Sequence, residues 1–235
     1  MSNFNSQIAA YSAKRSPKEH DLELLEMIKT DVPNFSGVVL DIGCAAGSFI
    51  DLMARTYPDA TYRGIDISER LIAEASNRGI SADVEFLVSD ALDFEPIEKF
   101  DVIIASGVMS IFDDFSIPLK KWLTWLRPGG NLYIFGRFNS EDIDTIIYFR
   151  NNTHESADWE GGLTSYSTQT VLSFINQLGF EGSFKKFYLP FEVAKNPSDP
   201  IRTFTVTTAD GERLILNGAN IMAEHYFLKI GSAAL

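Results

Sequence analysis

Between residues 38 and 136, short apolar runs rich in β-branched side chains alternate with helix-like stretches, and this alternation is the strongest constraint on the fold. Val38–Ile42, Tyr62–Ile67, Val84–Ser89, Asp101–Ser106 and Asn131–Gly136 read as strands. Phe49–Tyr57, Glu69–Asn77 and a stretch around Leu119–Leu126 read as helices between them. Strands separated by helices build a parallel sheet through right-handed crossovers. The near-continuous apolar character of the strands predicts burial on both faces. The last third changes pattern. A helix over Gln169–Leu178 stops at Gly179, and Phe184–Leu189 reads as a strand. Phe204–Thr208 and Arg213–Leu216 flank Ala209-Asp210-Gly211-Glu212, a hairpin signal, and Ile221–Ile230 reads as a final strand. A parallel sheet finished by an antiparallel pair is the architecture implied.

Ahead of the first strand, Ser16-Pro17-Lys18-Glu19 predicts a helix start: Ser16 as N-cap, Pro17 at the first helical position, Glu19 closing a capping box. Leu22, Leu24, Leu25 and Ile28 form its apolar stripe, which ends before Pro33. The chain has 235 residues, a length for one domain, and its 45% apolar content allows a full core. The formal net charge of −12 disfavours nucleic acid and anionic membrane surfaces as partners. No apolar stretch is long enough to span a bilayer, no secretory signal is read at the N-terminus, and Cys44 is the one cysteine. These features favour the cytoplasm. A small buried thiol is the stronger reading of Cys44.

The segment Asp41-Ile42-Gly43-Cys44-Ala45-Ala46-Gly47 leaves the first strand and enters a helix. Small residues there let the backbone approach a ligand, and the helix start offers free N–H groups. A tight turn with no ligand is the competing reading. A phosphate-binding P-loop is excluded, because no lysine lies between Thr30 and Lys99. The spacing G-x-A-x-G also departs from the dinucleotide G-x-G-x-x-G, and Asp41 at the loop mouth would repel a pyrophosphate. A carboxylate there suits a cationic ligand without phosphate, of which S-adenosylmethionine is the biological example. Asp66, ending the second strand, can accept two hydrogen bonds from ribose hydroxyls, a feature shared with NAD sites. Asp90 in Ser89-Asp90-Ala91 can accept an adenine amino group or cap an ordinary turn.

Taken in order, Val39–Gly47, Asp66, Asp90-Ala91, Phe100-Asp101-Val102-Ile103 and Leu126-Arg127-Pro128-Gly129-Gly130 resemble the motifs of class I S-adenosylmethionine-dependent methyltransferases. The resemblance covers residues 36–136 and implies an α/β fold: a Rossmann-like, seven-stranded, mostly parallel sheet of order 3-2-1-4-5-7-6. In that fold the last strand is antiparallel and helices lie on both faces, here with a β-hairpin insertion near the C-terminus. It divides the chain 1–235 into an N-terminal helical lid (1–35), a cofactor-binding core (36–136) and an acceptor side (137–235, hairpin insertion about 190–218). S-adenosylmethionine is the implied cofactor. Gly43, Ala45 and Gly47 would approach its methionine part, Asp41 its amino group, Asp66 with Ile67 the ribose, and Asp90 with Ala91 the adenine. Many members have glycine where this chain has Ala45.

Ser106 ends the fourth strand in Ala105-Ser106-Gly107-Val108-Met109-Ser110 and is expected to adjoin the cofactor. An Asn/Asp-Pro-Pro-aromatic motif, common in members that methylate nitrogens of nucleic acids and proteins, is absent here. The expected acceptor is therefore a small molecule, first of all a hydroxyl of a sugar or natural-product intermediate. Methylation of nitrogen or carbon and a catalytically silent cofactor-binding protein remain as alternatives. The hairpin insertion is expected to cap the acceptor. No metal site is expected, and a homodimer is allowed. His154 is the expected general base. His225 reads as a satisfied core histidine, and His20 as a residue of a solvated helix face. Arg137, directly after the fifth strand, reads first as a surface ion pair with Glu141 or Asp142 and second as a holder of an acidic group on the acceptor. Trp159 and Tyr166 are expected to line the acceptor wall, though core packing explains them as well.

Overall fold

The structure, a computed structural model, describes residues 17–152 and 158–232. Helix α1 (Glu19–Asp31) leads into β1 (Val38–Ile42), α2 (Ser48–Thr56), β2 (Thr61–Asp66), α3 (Glu69–Ser76), β3 (Asp83–Val88) and β4 (Phe100–Ser106). Then come α4 (Ser116–Thr124), β5 (Leu126–Asn139), the short β6 (Tyr166–Ser167), α5 (Thr168–Gln177), β7 (Phe180–Phe187), the hairpin β8 (Phe204–Thr207) and β9 (Arg213–Leu216), and β10 (His225–Ser232). The main sheet has the order β3-β2-β1-β4-β5-β10-β7, with β6 paired to the end of β5. β10 is antiparallel to both its neighbours, whereas β1 to β5 run parallel. This is the expected 3-2-1-4-5-7-6 arrangement, with β7 as sixth and β10 as seventh strand.

Alternation along the strands sends side chains to two cores. On one face Val39, Val102, Ile104, Tyr133, Phe135 and Phe227 pack under α1 and α2, against Leu24, Ile28, Ile50 and Met53. On the other, Leu40, Ile103, Leu132, Ile134 and Leu228 pack under α4 and α5, against Leu119, Trp122 and Ile175. β5 is longer than its apolar run suggests, because its first residues still pair with β4 across a register shift between Phe100 and Val102. At this amino-terminal end Asp101 accepts from the Val38 amide (2.7 Å) and from the Arg127 guanidinium (2.6 Å), tying the starts of β1, β4 and β5 together. Arg127-Pro128-Gly129-Gly130 is therefore a structural device: a Cβ on Gly130 would stand 3.0 Å from the carbonyl oxygens of Phe100 and Asp101.

Helix α1 begins two residues later than the capping box proposed on Ser16 and Glu19, with Lys18 as its N-cap. Ser16 lies outside the described residues, and Asp21 accepts from the Lys18 amide at 3.0 Å in its place. The apolar stripe is also narrower: Leu24, Leu25 and Ile28 are buried, whereas Leu22 is exposed. The β8–β9 hairpin forms a separate two-stranded sheet in the connection from β7 to β10. No helix among the described residues is long and apolar enough to cross a membrane.

Burial sets the expected stability of the α1 attachment. Leu24→Ala should lower the free energy of unfolding by about 2–5 kcal/mol in a urea titration, and Leu22→Ala by less than about 0.5 kcal/mol. Equal losses would mean that α1 is held some other way.

Candidate active site

The carboxyl ends of the parallel strands converge on the turn after β1. Residues Gly43 and Cys44 both donate their amides to the Ile65 carbonyl, at 2.8 and 3.0 Å, which pins the turn to the end of β2. Gly43 has φ +72°, and a Cβ there would lie 2.5 Å from Val108 Cγ2, so both the conformation and the space exclude a side chain. Ala45 takes the left-handed region as well, with φ 49°, although it is not glycine. Its amide donates to Asp66 Oδ2 at 2.9 Å, and the Ser68 amide donates to Asp66 Oδ1 at 2.9 Å. Asp66 thus holds the turn and the start of α3 with one lone pair on each oxygen, leaving acceptor capacity on both for ribose hydroxyls.

Asp41 is buried at the end of β1 (3% exposed) and belongs to no ion pair among the described residues. Loss of water pushes its carboxyl well above the usual range, and the neighbouring charges of Asp21 and Asp66 push it further. Asp21 and Asp66 are themselves raised, chiefly by burial. Three carboxylates sharing a partly dry space call for a cation. S-adenosylmethionine brings two, a sulfonium and an ammonium, so the donor set fits that group. The Cys44 thiol beside them is buried and shifted upward, the inert cysteine expected.

Further along the edge, Asp90 Oδ1 accepts from the Leu92 amide at 2.7 Å and caps its own turn, leaving Oδ2 over. The Ala91 carbonyl accepts the Trp122 indole N–H at 3.1 Å, which fixes this segment on the sheet. Ile67 is 60% exposed at the rim. Ser106 pairs with Phe135 in the β4–β5 ladder, and the space beside Gly107 is open.

Beyond Asp41 on the same face stands a group that sequence reasoning scattered. His20 stacks on Phe135 with ring centroids 4.3 Å apart, and His225 lies over Phe135 at 5.7 Å. His225 is paired with Arg137 across the β5–β10 ladder, so these side chains share one face. Three expectations are corrected here. His20 is not on a solvated face; it is largely covered, and burial first, then Lys18 and His225, push it down to about 3. His225 is not a satisfied core histidine, because its buried Nδ1 has no hydrogen-bond partner; burial, with Arg137 nearby, pushes it down to about 4. Arg137 makes no ion pair among the described residues: Asp142 accepts from Ser167 instead, and burial depresses the guanidinium. These residues lie far apart in the chain, and no local signal unites them.

The remaining candidates separate. His154 lies outside the described residues. Trp159 is 65% exposed, with Arg150 over its ring at 5.5 Å. Tyr166 is buried in the opposite core against Phe115, its hydroxyl donating to the Phe112 carbonyl, so it serves packing and not the acceptor wall. A depression of about 480 Å³ lined by Pro33, Phe35, Asp101 and Asn131 sits at the amino ends of the strands. It is at the wrong end of the sheet for this chemistry.

The family described as "Methyltransferase domain" matches residues 35–161, more than half of the chain. The chain belongs to this family. With the five ordered motifs and the sheet order, it is a class I S-adenosylmethionine-dependent methyltransferase, and S-adenosylmethionine is its cofactor. Among curated relatives, a malonyl-[acyl-carrier protein] O-methyltransferase of Priestia megaterium is 25% identical over 58% of this chain and 50% of its own length. A trans-aconitate 2-methyltransferase of Mycobacterium tuberculosis is 31% identical over 39% of this chain and 33% of its own. The chain thus matches half or less of the length of these relatives. A solved DhpI–SAM–HEP complex superposes with a TM-score of 0.64 at 15% identity, covering 97% of this chain and 93% of that one. The plantazolicin methyltransferase BpumL gives 0.64 at 15% identity, covering 98% and 92%.

Two outcomes follow for the methyltransferase domain. Asp41→Asn should raise the melting temperature of the cofactor-free protein, by removing a poorly hydrated charge, yet weaken S-adenosylmethionine binding at least roughly tenfold by calorimetry. Unchanged affinity would dismiss Asp41 as a cofactor ligand. His20 and His225 have folded pKa values below the unfolded value of 6.5, so the unfolded chain binds more protons in that window. Their contribution is complete above pH 6.5 and is lost as pH falls towards 4. Asp21, Asp41 and Asp66, whose pKa values are raised, act in the opposite sense over the same range, so the histidine contribution is read by difference: the melting temperature of His20→Phe relative to the wild type should rise as pH falls from 6.5 towards 4.

Proposed function

We propose that this domain methylates an oxygen of a small-molecule acceptor, with a hydroxyl of a sugar or natural-product intermediate as the first class to test. The observation that carries the reading is the covered group His20–Phe135–His225 next to the acidic cofactor end. When bound, S-adenosylmethionine supplies an activated methyl group on a sulfonium. The chain's part is to hold that cation with Asp41, to hold the ribose with Asp66 and the adenine with Asp90 and Ala91, and to align an acceptor against it. Gly43, Ala45 and Gly47 shape the backbone around the methionine part, and Ser106 with Gly107 opens the way to the acceptor.

A hydroxyl acceptor must also lose a proton. His20 and His225 are both uncharged at neutral pH, so each keeps a ring nitrogen free to receive one. His20 is the one proposed for that task, since its neighbour Asp21 is close enough to act on Asp41. The relatives' names, a malonyl-[acyl-carrier protein] O-methyltransferase and a trans-aconitate 2-methyltransferase, support an acceptor that carries an acidic group.

The test is incubation with methyl-labelled S-adenosylmethionine and a metabolite extract, followed by mass spectrometry of labelled products. A metabolite labelled on oxygen is expected, and His20→Ala should lower kcat for it by about a hundredfold while cofactor affinity holds. Label on nitrogen or carbon would overturn the oxygen reading. Binding without any turnover would favour a silent cofactor-binding protein.

A further inference from the structure

We infer that Arg137 and His225 form an oxyanion-binding subsite for the acceptor, so that the molecule methylated carries an anionic group, a carboxylate or a phosphate-type group, seated on the Arg137 guanidinium. The inference rests on the reading of this end as a methyltransferase acceptor site and adds the charge of the substrate.

Arg137 is a cation that lacks a counter-ion among the described residues. In a chain with 32 acidic and 20 basic residues, a covered arginine would be expected to find a carboxylate. Arg63, Arg127, Lys186 and Lys229 all do, pairing with Glu85, Asp101, Glu224 and Asp31. The Arg137 guanidinium has no hydrogen bond and no ion pair among the described residues, and loss of water alone accounts for its depressed pKa. Of the carboxylates that follow it in the chain, Asp142 is engaged by the Ser167 hydroxyl (3.1 Å) and Asp144 by the Ser167 amide (2.7 Å), and Glu141 makes no ion pair with it.

Across the ladder from Arg137, the Nδ1 of His225 is buried with no hydrogen-bond partner. An unfilled ring nitrogen and an unpaired guanidinium on directly opposite residues of two strands share one missing partner. A planar carboxylate matches the guanidinium fork and leaves an oxygen for the imidazole N–H; a tetrahedral phosphate oxygen set does the same. Phe135 lies between this pair and His20, giving the subsite an apolar floor on the side of the cofactor end.

Charge also separates the two halves of the cleft. Asp21, Asp41 and Asp66 gather where the cationic cofactor belongs, and the charges of Asp21 and Asp66 raise the pKa of Asp41 beyond what its burial does. The Arg137 side carries no carboxylate strong enough to offset its burial. A cationic donor and an anionic acceptor would therefore each be drawn to its own end.

The experiment uses the whole chain saturated with S-adenosylhomocysteine, titrated calorimetrically with malonate, with inorganic phosphate, and with uncharged malonamide as control. Malonate or phosphate should bind and malonamide should not. Arg137→Ala should weaken the anion at least tenfold, with S-adenosylhomocysteine affinity kept within twofold; the exposed-surface variant Lys120→Ala should change neither. Preference for malonate assigns a carboxylate, and preference for phosphate assigns a tetrahedral group. Should Arg137→Ala not fold, Arg137→Lys carries the test, since it keeps the charge and loses the fork; anion affinity should fall at least threefold. Absence of anion binding to the wild-type protein, equal binding to the variant, or a matching loss of S-adenosylhomocysteine affinity would overturn the subsite, the last by placing Arg137 on the cofactor. Because S-adenosylhomocysteine binding is read in the same sample, loss of the subsite is distinguishable from loss of the methyltransferase reading.

Discussion

A parallel sheet covered by helices on both faces leaves only its two ends open to solvent, and everything else in this molecule follows from which end is used. Right-handed crossovers bring the carboxyl ends of β1 to β5 to one edge, so five separate turns face one cleft. The opposite edge is closed by Asp101, which receives the Val38 amide and the Arg127 guanidinium. Closing one end with charge-assisted hydrogen bonds fixes the register of three strands. The other end is then free to hold groups in conformations and charge states that a stable fold would otherwise avoid.

The cleft is built from such groups. Ala45 sits in the left-handed region, a conformation costing about 1–2 kcal/mol for a residue with a Cβ. Asp66 offsets that cost by accepting its amide. Asp41 is buried beside two other carboxylates, and burial keeps it from ionising easily. Arg137 is half-buried with no ion pair among the described residues, and the buried Nδ1 of His225 has no hydrogen-bond partner. Each would be a defect in an isolated core. Together they describe a surface whose missing partners are a cation at one end and an anion at the other.

Helix α1 links the two halves. Its buried face, Leu24, Leu25 and Ile28, anchors it on the sheet. That anchoring delivers Asp21 to the neighbourhood of Asp41 and His20 to the face of Phe135. One helical turn thus contributes to the cofactor end through a carboxylate and to the acceptor end through an imidazole.

The order of strands and helices, the turn after β1 and the acidic residues at the ends of β1, β2 and β3 were legible in the sequence. They depend on periodicity and on residues adjacent in the chain. Val38–Ile42 and Arg213–Leu216 even match the expected strands residue for residue. The exchange of Ala for Gly at position 45 was visible too, though not that Asp66 makes it tolerable. What the chain alone misassigned was the environment of His20, Arg137, Tyr166 and His225. The ionisation and accessibility of a side chain depend on what covers it, and here the cover comes from elements up to two hundred positions away. A histidine or arginine looks the same in sequence whether it faces water or a dry cleft. Only the packing of α1 and the antiparallel insertion of β10 decided that His20, Phe135, Arg137 and His225 would meet, because that meeting is made by tertiary contact and by nothing local.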